Sequence, residues 1–159
     1  MNHSTYFEDI KRIAIVAYSD TRKDLIEWSY ANKNILKNHI IISTARTASI
    51  LEGTLNIPVL NLNHGRSGGY QQIKSLIEDN KIDIIIFFGN PQKAAVKDSW
   101  FEELVNVAIN QDIVVAYNEA TIGMILTSIA INDTDANHKN DLHRFLHQEI
   151  SKTSSVAIK

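Results

Sequence analysis

The chain has 159 residues, 44% apolar and 21% charged, the balance of an ordinary globular domain with enough length for one core. A formal net charge of −2 gives nucleic acid no overall attraction, and the absence of cysteine removes disulfides, thiol catalysis and zinc–thiolate sites. No apolar run approaches the roughly 20 residues of a membrane span, and the start MNHSTYFEDIKR lacks the apolar centre of a signal peptide, so the expectation is a cytoplasmic protein that spans no membrane.

Residues 13–17 form a short apolar run between Lys11-Arg12 and Ser19-Asp20, which reads as a buried strand. Leu25, Trp28 and Ile35 recur at helical spacing over 21–34, with Ser19, Asp20 or Thr21 as the cap. Residues 40–42 read as a second strand. A short helix over 47–52 is expected to end at Gly53, a natural residue after a helix C-terminus. Residues 57–62 read as a third strand, with Pro58 at its beginning or on an edge. The next helix, 69–79, places Ile73, Leu76 and Ile77 on one face. Residues 82–88 are the most apolar strand and are expected at the centre of the sheet. A helix over 98–110 with Leu104, Val105 and Ala108 buried, a fifth strand over 113–117 and a helix over 119–129 complete the pattern. The polar stretch 132–140 reads as a loop, and about 141–151 as a C-terminal helix capped by Asp141 and followed by a frayed tail.

Strands and helices alternate and the strands are almost continuously apolar. This predicts an α/β fold, a three-layer α/β/α sandwich on a five-stranded, mostly parallel sheet. One domain over 1–159 is expected, with its core at about 12–130. Ligands in such sheets bind at the carboxyl ends of the strands, so the residues that follow each strand carry the functional question.

Three features stand there. The first is Ser43–Ser49, STARTAS, between a strand and a helix. Small hydroxylated residues at a helix N-terminus suit a phosphate, and equally they make an ordinary cap. The second is HGRSGG, where Gly65, Gly68 and Gly69 permit an anion nest of backbone amides. The third is a set of cations predicted near one rim: Arg22, Arg46, His64, Arg66 and Lys97. In a slightly acidic chain they point to an anionic ligand, or else are scattered solvated charge.

Several motifs in order carry a resemblance: IAIVA, Trp28, Thr44 and Thr47, HGRSGGYQQ, NKIDIIIFF followed by Asn90-Pro91, and IVVAYNEAT. Over about residues 12–128 the chain resembles the methylglyoxal synthase family. The resemblance implies an α/β domain with a five-stranded, mostly parallel sheet and assembly as a homohexamer. It also implies elimination of phosphate from dihydroxyacetone phosphate without metal or organic cofactor. The same domain type serves as a ligand-sensing module in carbamoyl phosphate synthetase, so the fold alone does not give the function.

Carried over position by position, the family's aspartate base falls on Tyr70. A histidine and an acid after the first strand fall on Tyr18 and Ser19. The second histidine falls on Lys97 and a further aspartate on Trp100. The phosphate loop reads Thr44-Ala45-Arg46-Thr47, His64 stands for a serine, Gly65 is kept, and Arg22 replaces a lysine with its charge. Asp20 and Asp98 remain nearby as a helix cap and a first-turn acid.

The pattern implies a methylglyoxal-synthase-like protein that binds a small phosphorylated metabolite or nucleotide through Arg22, Thr44, Arg46, Thr47, His64 and Gly65, without the synthase chemistry. Tyr18, Tyr70 and Trp100 would line a wider pocket or stack on a base, or simply fill space left by polar groups. The alternatives are a divergent but active synthase using His64 as its acid–base group, and a non-catalytic subunit of a larger assembly.

Overall fold

A computed structural model describes residues 10–18, 21–89 and 99–130, together with Gln148 and Lys152. The loop predicted over 132–140 lies outside the described residues, and so does the helix over 141–151 apart from Gln148.

Five strands form one sheet: β1 (Arg12–Ala17), β2 (Ile40–Thr44), β3 (Leu60–Leu62), β4 (Ile84–Phe88) and β5 (Val114–Ala116). Their order is β3-β2-β1-β4-β5, and all four pairings are parallel. Each parallel step needs a crossover. The crossovers carry α1 (Arg22–Ala31) with α2 (Lys33–Leu36), then α3 (Ala45–Leu55), α4 (Gly69–Glu78) and α5 (Trp100–Asn110), and α6 (Glu119–Ile129) follows β5.

Strand alternation divides the core into two layers. Ala14, Val16, Ile85 and Phe87 point to the side covered by α4 and α5, where they meet Ile73, Ile77, Leu104 and Ala108. Ile13, Ile15, Ile84, Ile86 and Phe88 point to the other side and meet Leu25, Leu36, Leu51, Ile122 and Leu126. The result is the expected three-layer α/β sandwich. Edge-to-face contact between Phe87 and Phe101, with ring centroids 4.9 Å apart, fastens α5 to the sheet. Lys74 and Glu103 join α4 to α5 by a 2.8 Å hydrogen bond, which together with their opposite charge raises the Lys74 pKa above its ordinary 10.5.

Three sequence expectations are corrected. The central strand is β1, with the more apolar β4 beside it. Apolar content tracks coverage on both faces, which every inner strand has, so it does not single out the middle one. The helix expected over 47–52 begins at Ala45 and runs through Gly53 to Leu55. Glycine inside a helix costs about 1 kcal/mol, but stopping there would leave Leu55, which is 1% exposed, out of the core at a cost of about 1.5–3 kcal/mol. Asn56 takes the left-handed position instead, at φ 54°. The helix expected over 21–34 is broken at Asn32, whose side-chain amide donates to the Trp28 carbonyl at 2.9 Å. Thr21 precedes α1 without capping it, and its hydroxyl donates to the Tyr18 carbonyl at 2.5 Å.

His39 holds the far end of the sheet. It is fully buried; the Lys11 amide donates to its Nδ1 at 2.9 Å, and Nε2 lies 3.0 Å from the Ile129 carbonyl. Because Nδ1 accepts, the proton sits on Nε2 and is donated to Ile129. One neutral ring thus ties the entry of β1 to the end of α6. His39→Leu strands one amide and one carbonyl and is expected to lower stability by about 2 kcal/mol in urea denaturation. A loss below about 0.5 kcal/mol would show that water satisfies both groups.

Candidate functional site

A parallel sheet sends all its carboxyl ends to one rim, and the ends of β1, β2 and β3 form one side of it. There is no loop between β2 and α3. Thr44 is both the last strand residue and the residue before the helix, in extended geometry at φ −74° and ψ 157°. The first amides of a helix lack intrahelical partners. Here the Ala45 amide reaches the Asn63 carbonyl at 3.4 Å, which brings the end of β3 against the start of α3. The positive end of the α3 dipole therefore faces the rim.

Three cationic or proton-carrying side chains converge on that point from separate crossovers. Arg22 opens α1, Arg46 stands in the first turn of α3, and His64 follows β3. With Ala45, Ser49 and Ile50 they line an open cleft of about 520 Å³. Arg46, Ser49 and Ile50 share one helical face, three and four residues apart. No acidic side chain is among the described residues lining the cleft. The described ion pairs Arg12–Asp83 and Lys74–Glu103 lie elsewhere, so neither arginine of the cleft takes part in them.

The structure thus brings together Arg22, Arg46 and His64 from the expected set. Thr44 and Thr47 are buried, at 8% and 6% exposure, and do not line the cleft. Thr47 shares the inner face of α3 with Ala48, Leu51 and Leu55. Gly65 begins a short 3₁₀ turn, Gly65–Ser67, and is covered by the ring of Tyr70: a Cβ at Gly65 would lie within 2.8 Å of Tyr70 Cε1. Tyr70 in turn packs against Trp100, with centroids 5.9 Å apart, and both rings lean on the hydrophobic core. Tyr18 closes the end of β1. Its amide donates to the Phe88 carbonyl at 3.3 Å, and its ring borders Gly89, which adopts φ +99° beneath Thr21. Ser19 and Lys97 lie outside the described residues.

Sequence reasoning reached Ser49 only as the end of the Ser43–Ser49 motif and missed Ile50. The signal was available, since they follow Arg46 at helical spacing, but placing the helix start at 47 rather than 45 hid that shared face. It also missed Gln72, whose Oε1 accepts from the Asn63 amide at 2.8 Å and braces the turn that carries His64.

Among the described residues no cluster of three or more His, Asp or Glu side chains could hold a metal ion, and no helix is long and apolar enough to cross a membrane.

A fully parallel sheet with helices on both faces, and a cation-lined cleft beside a helix N-terminus at one rim, defines a three-layer α/β domain. The MGS-like domain family model matches residues 24–117, and the chain belongs to the methylglyoxal synthase family. A methylglyoxal synthase of Coxiella burnetii (strain RSA 493 / Nine Mile phase I) is 37% identical over 119 residues, covering 75% of this chain and 83% of that protein. One from Clostridium acetobutylicum is 31% identical over 139 residues, covering 87% and 96%. The crystal structure of methylglyoxal synthase from Elizabethkingia anophelis NUHP1 superposes with a TM-score of 0.69 at 32% identity, covering 75% of this chain and 78% of that one.

Proposed function

We propose that the protein binds a small phosphorylated ligand in the cleft between α1, α3 and the β3 turn, and that it does not convert dihydroxyacetone phosphate to methylglyoxal. The observation that carries the binding reading is the convergence of Arg22, Arg46 and His64 on one cleft at the start of α3 that no acidic side chain lines among the described residues. A phosphate monoester brings about 1.5 to 2 negative charges and three acceptor oxygens. Guanidinium groups match it by paired hydrogen bonds, and the helix dipole adds to the attraction. Against the lyase reading stands Tyr70, the position of the family's base, whose ring is committed to covering Gly65 and packing on Trp100.

Calorimetric titration with orthophosphate and with dihydroxyacetone phosphate tests the binding. Wild type is expected to bind both, more weakly as salt rises. Arg22→Gln, which keeps most of the side-chain length, is expected to lose about tenfold in affinity, the worth of one charge-assisted contact. Absence of binding by wild type, or unchanged affinity in Arg22→Gln, removes the reading.

One observation favours a second reading, a divergent synthase: the match to relatives called methylglyoxal synthase spans most of this chain and of theirs. His64, on the cleft, is then the acid–base group. A phosphate-release assay separates the two readings.

A further inference from the structure

The cleft, at about 520 Å³, is larger than one phosphoryl group fills, and its lining says where the remaining space lies. From Ala45 to Ile50 the wall of the cleft follows α3 for about 7 Å. Ala45 is at the positive end of the helix, with Arg22 and His64 reaching the cleft from other crossovers. Arg46 projects from an exposed face that continues through Ser49 to the half-buried Ile50. Two guanidinium groups in one cleft repel each other, and no described carboxylate lines it to offset them. A single phosphoryl group held at the helix end by Arg22 and His64 leaves the Ser49 and Ile50 end of the cleft unfilled.

We infer that the ligand carries two phosphoryl groups. The first sits at the start of α3 with Arg22 and His64, and the second lies along the Arg46–Ser49 face, where Arg46 holds it. Ile50 is the largest apolar side chain among the described residues lining the cleft, and lies against the carbon skeleton or bridging atoms between the two groups. Arg46 is then the residue that sets specificity for a bisphosphorylated ligand over a monophosphate. This rests on the phosphate-binding reading above and sharpens it to a ligand class.

The test is competitive calorimetry with three probes on the full chain: orthophosphate, pyrophosphate as a directly joined pair, and fructose 1,6-bisphosphate as a separated pair. At least one doubly phosphorylated probe is expected to bind about tenfold tighter than orthophosphate, or more. In Arg46→Gln that advantage is expected to collapse towards one, because the variant loses more affinity for the paired probe than for orthophosphate. Arg46 is exposed, so an unchanged melting curve will confirm that Arg46→Gln is folded. Orthophosphate binding with no advantage beyond about twofold for either paired probe overturns the inference and leaves the phosphate site standing. An advantage that survives in Arg46→Gln also overturns it, because Arg46 then does not hold the second group. If none of the three probes binds, the phosphate site falls and the inference with it.

Discussion

Supplied with dihydroxyacetone phosphate, the protein is expected to release inorganic phosphate no faster than the uncatalysed reaction. Removing a proton next to a carbonyl needs a base that is ionised at neutral pH and aimed at that carbon. An ordinary phenol, with pKa near 10, is ionised to about one part in a thousand at pH 7. The ring of Tyr70 is also held by packing, against Gly65 on one side and Trp100 on the other. General acid–base groups each contribute about 10²–10⁴-fold, and the resemblance puts Tyr18, Ser19, Tyr70, Lys97 and Trp100 where such groups are needed. Restoring one carboxylate is therefore not expected to restore turnover. Tyr70→Asp removes the ring that covers Gly65 and sets a charge beside Trp100, so it is expected to lower stability without producing methylglyoxal. The check is a coupled phosphate-release assay on wild type and Tyr70→Asp, with methylglyoxal measured separately. A saturable rate about a thousandfold above background would restore the divergent-synthase reading, and loss of that rate in His64→Ala would assign the proton transfer to His64.

The layer architecture was legible because buried parallel strands and amphipathic helices leave strong periodic marks. Ile73, Leu76 and Ile77 fix one face of α4, and 84–88 cannot be anything but buried. What the sequence hid depends on competition between small energies. Gly53 looked like a terminator because glycine is favoured just past a helix C-terminus, and only the burial of Leu55 shows why the helix continues. The same two-residue error at the start of α3 concealed the face formed by Arg46, Ser49 and Ile50. Thr44 and Thr47 were chosen for their hydroxyl chemistry, but the helix phase turns Thr47 inward and the strand end buries Thr44. The cations Arg22, Arg46 and His64 meet in one cleft as expected, because long or exposed groups after strands reach the rim wherever the exact helix boundary falls. The role of Tyr70 was left open between lining a pocket and filling space, and its contacts with Gly65 and Trp100 favour the filling role.

Gly69→Ala is expected to be the most damaging conservative change in the site region. Gly69 is buried at the first turn of α4, where the chain winds tightly around one carbonyl: the amides of Ser67 and Gly69 both donate to the His64 oxygen at 2.9 Å. A Cβ at Gly69 would collide with the Asn63 carbonyl oxygen and come within 2.9 Å of the His64 carbonyl carbon and oxygen. These are backbone atoms with no rotamer to yield, so the turn itself must open. The expected loss is about 3–4 kcal/mol, equivalent to roughly 10 °C in Tm for a chain of this size. His64 should leave the cleft with the turn, so anion affinity should fall as well. Gly65→Ala makes the informative contrast. The three atoms nearest its Cβ all belong to the Tyr70 ring, a side chain that can shift where backbone cannot, so the expected loss is smaller, about 1–3 kcal/mol. Gly65→Ala combined with Tyr70→Leu should cost less than the sum of the two single changes, because the second removes the ring that the first displaces. Differential scanning calorimetry of Gly69→Ala, Gly65→Ala, Tyr70→Leu and the double variant reads the stabilities, and titration with orthophosphate reads the affinity. A Gly69→Ala protein within about 1 kcal/mol of wild type would mean that the turn tolerates a shift, and that His64 is held less firmly than its hydrogen bonds indicate.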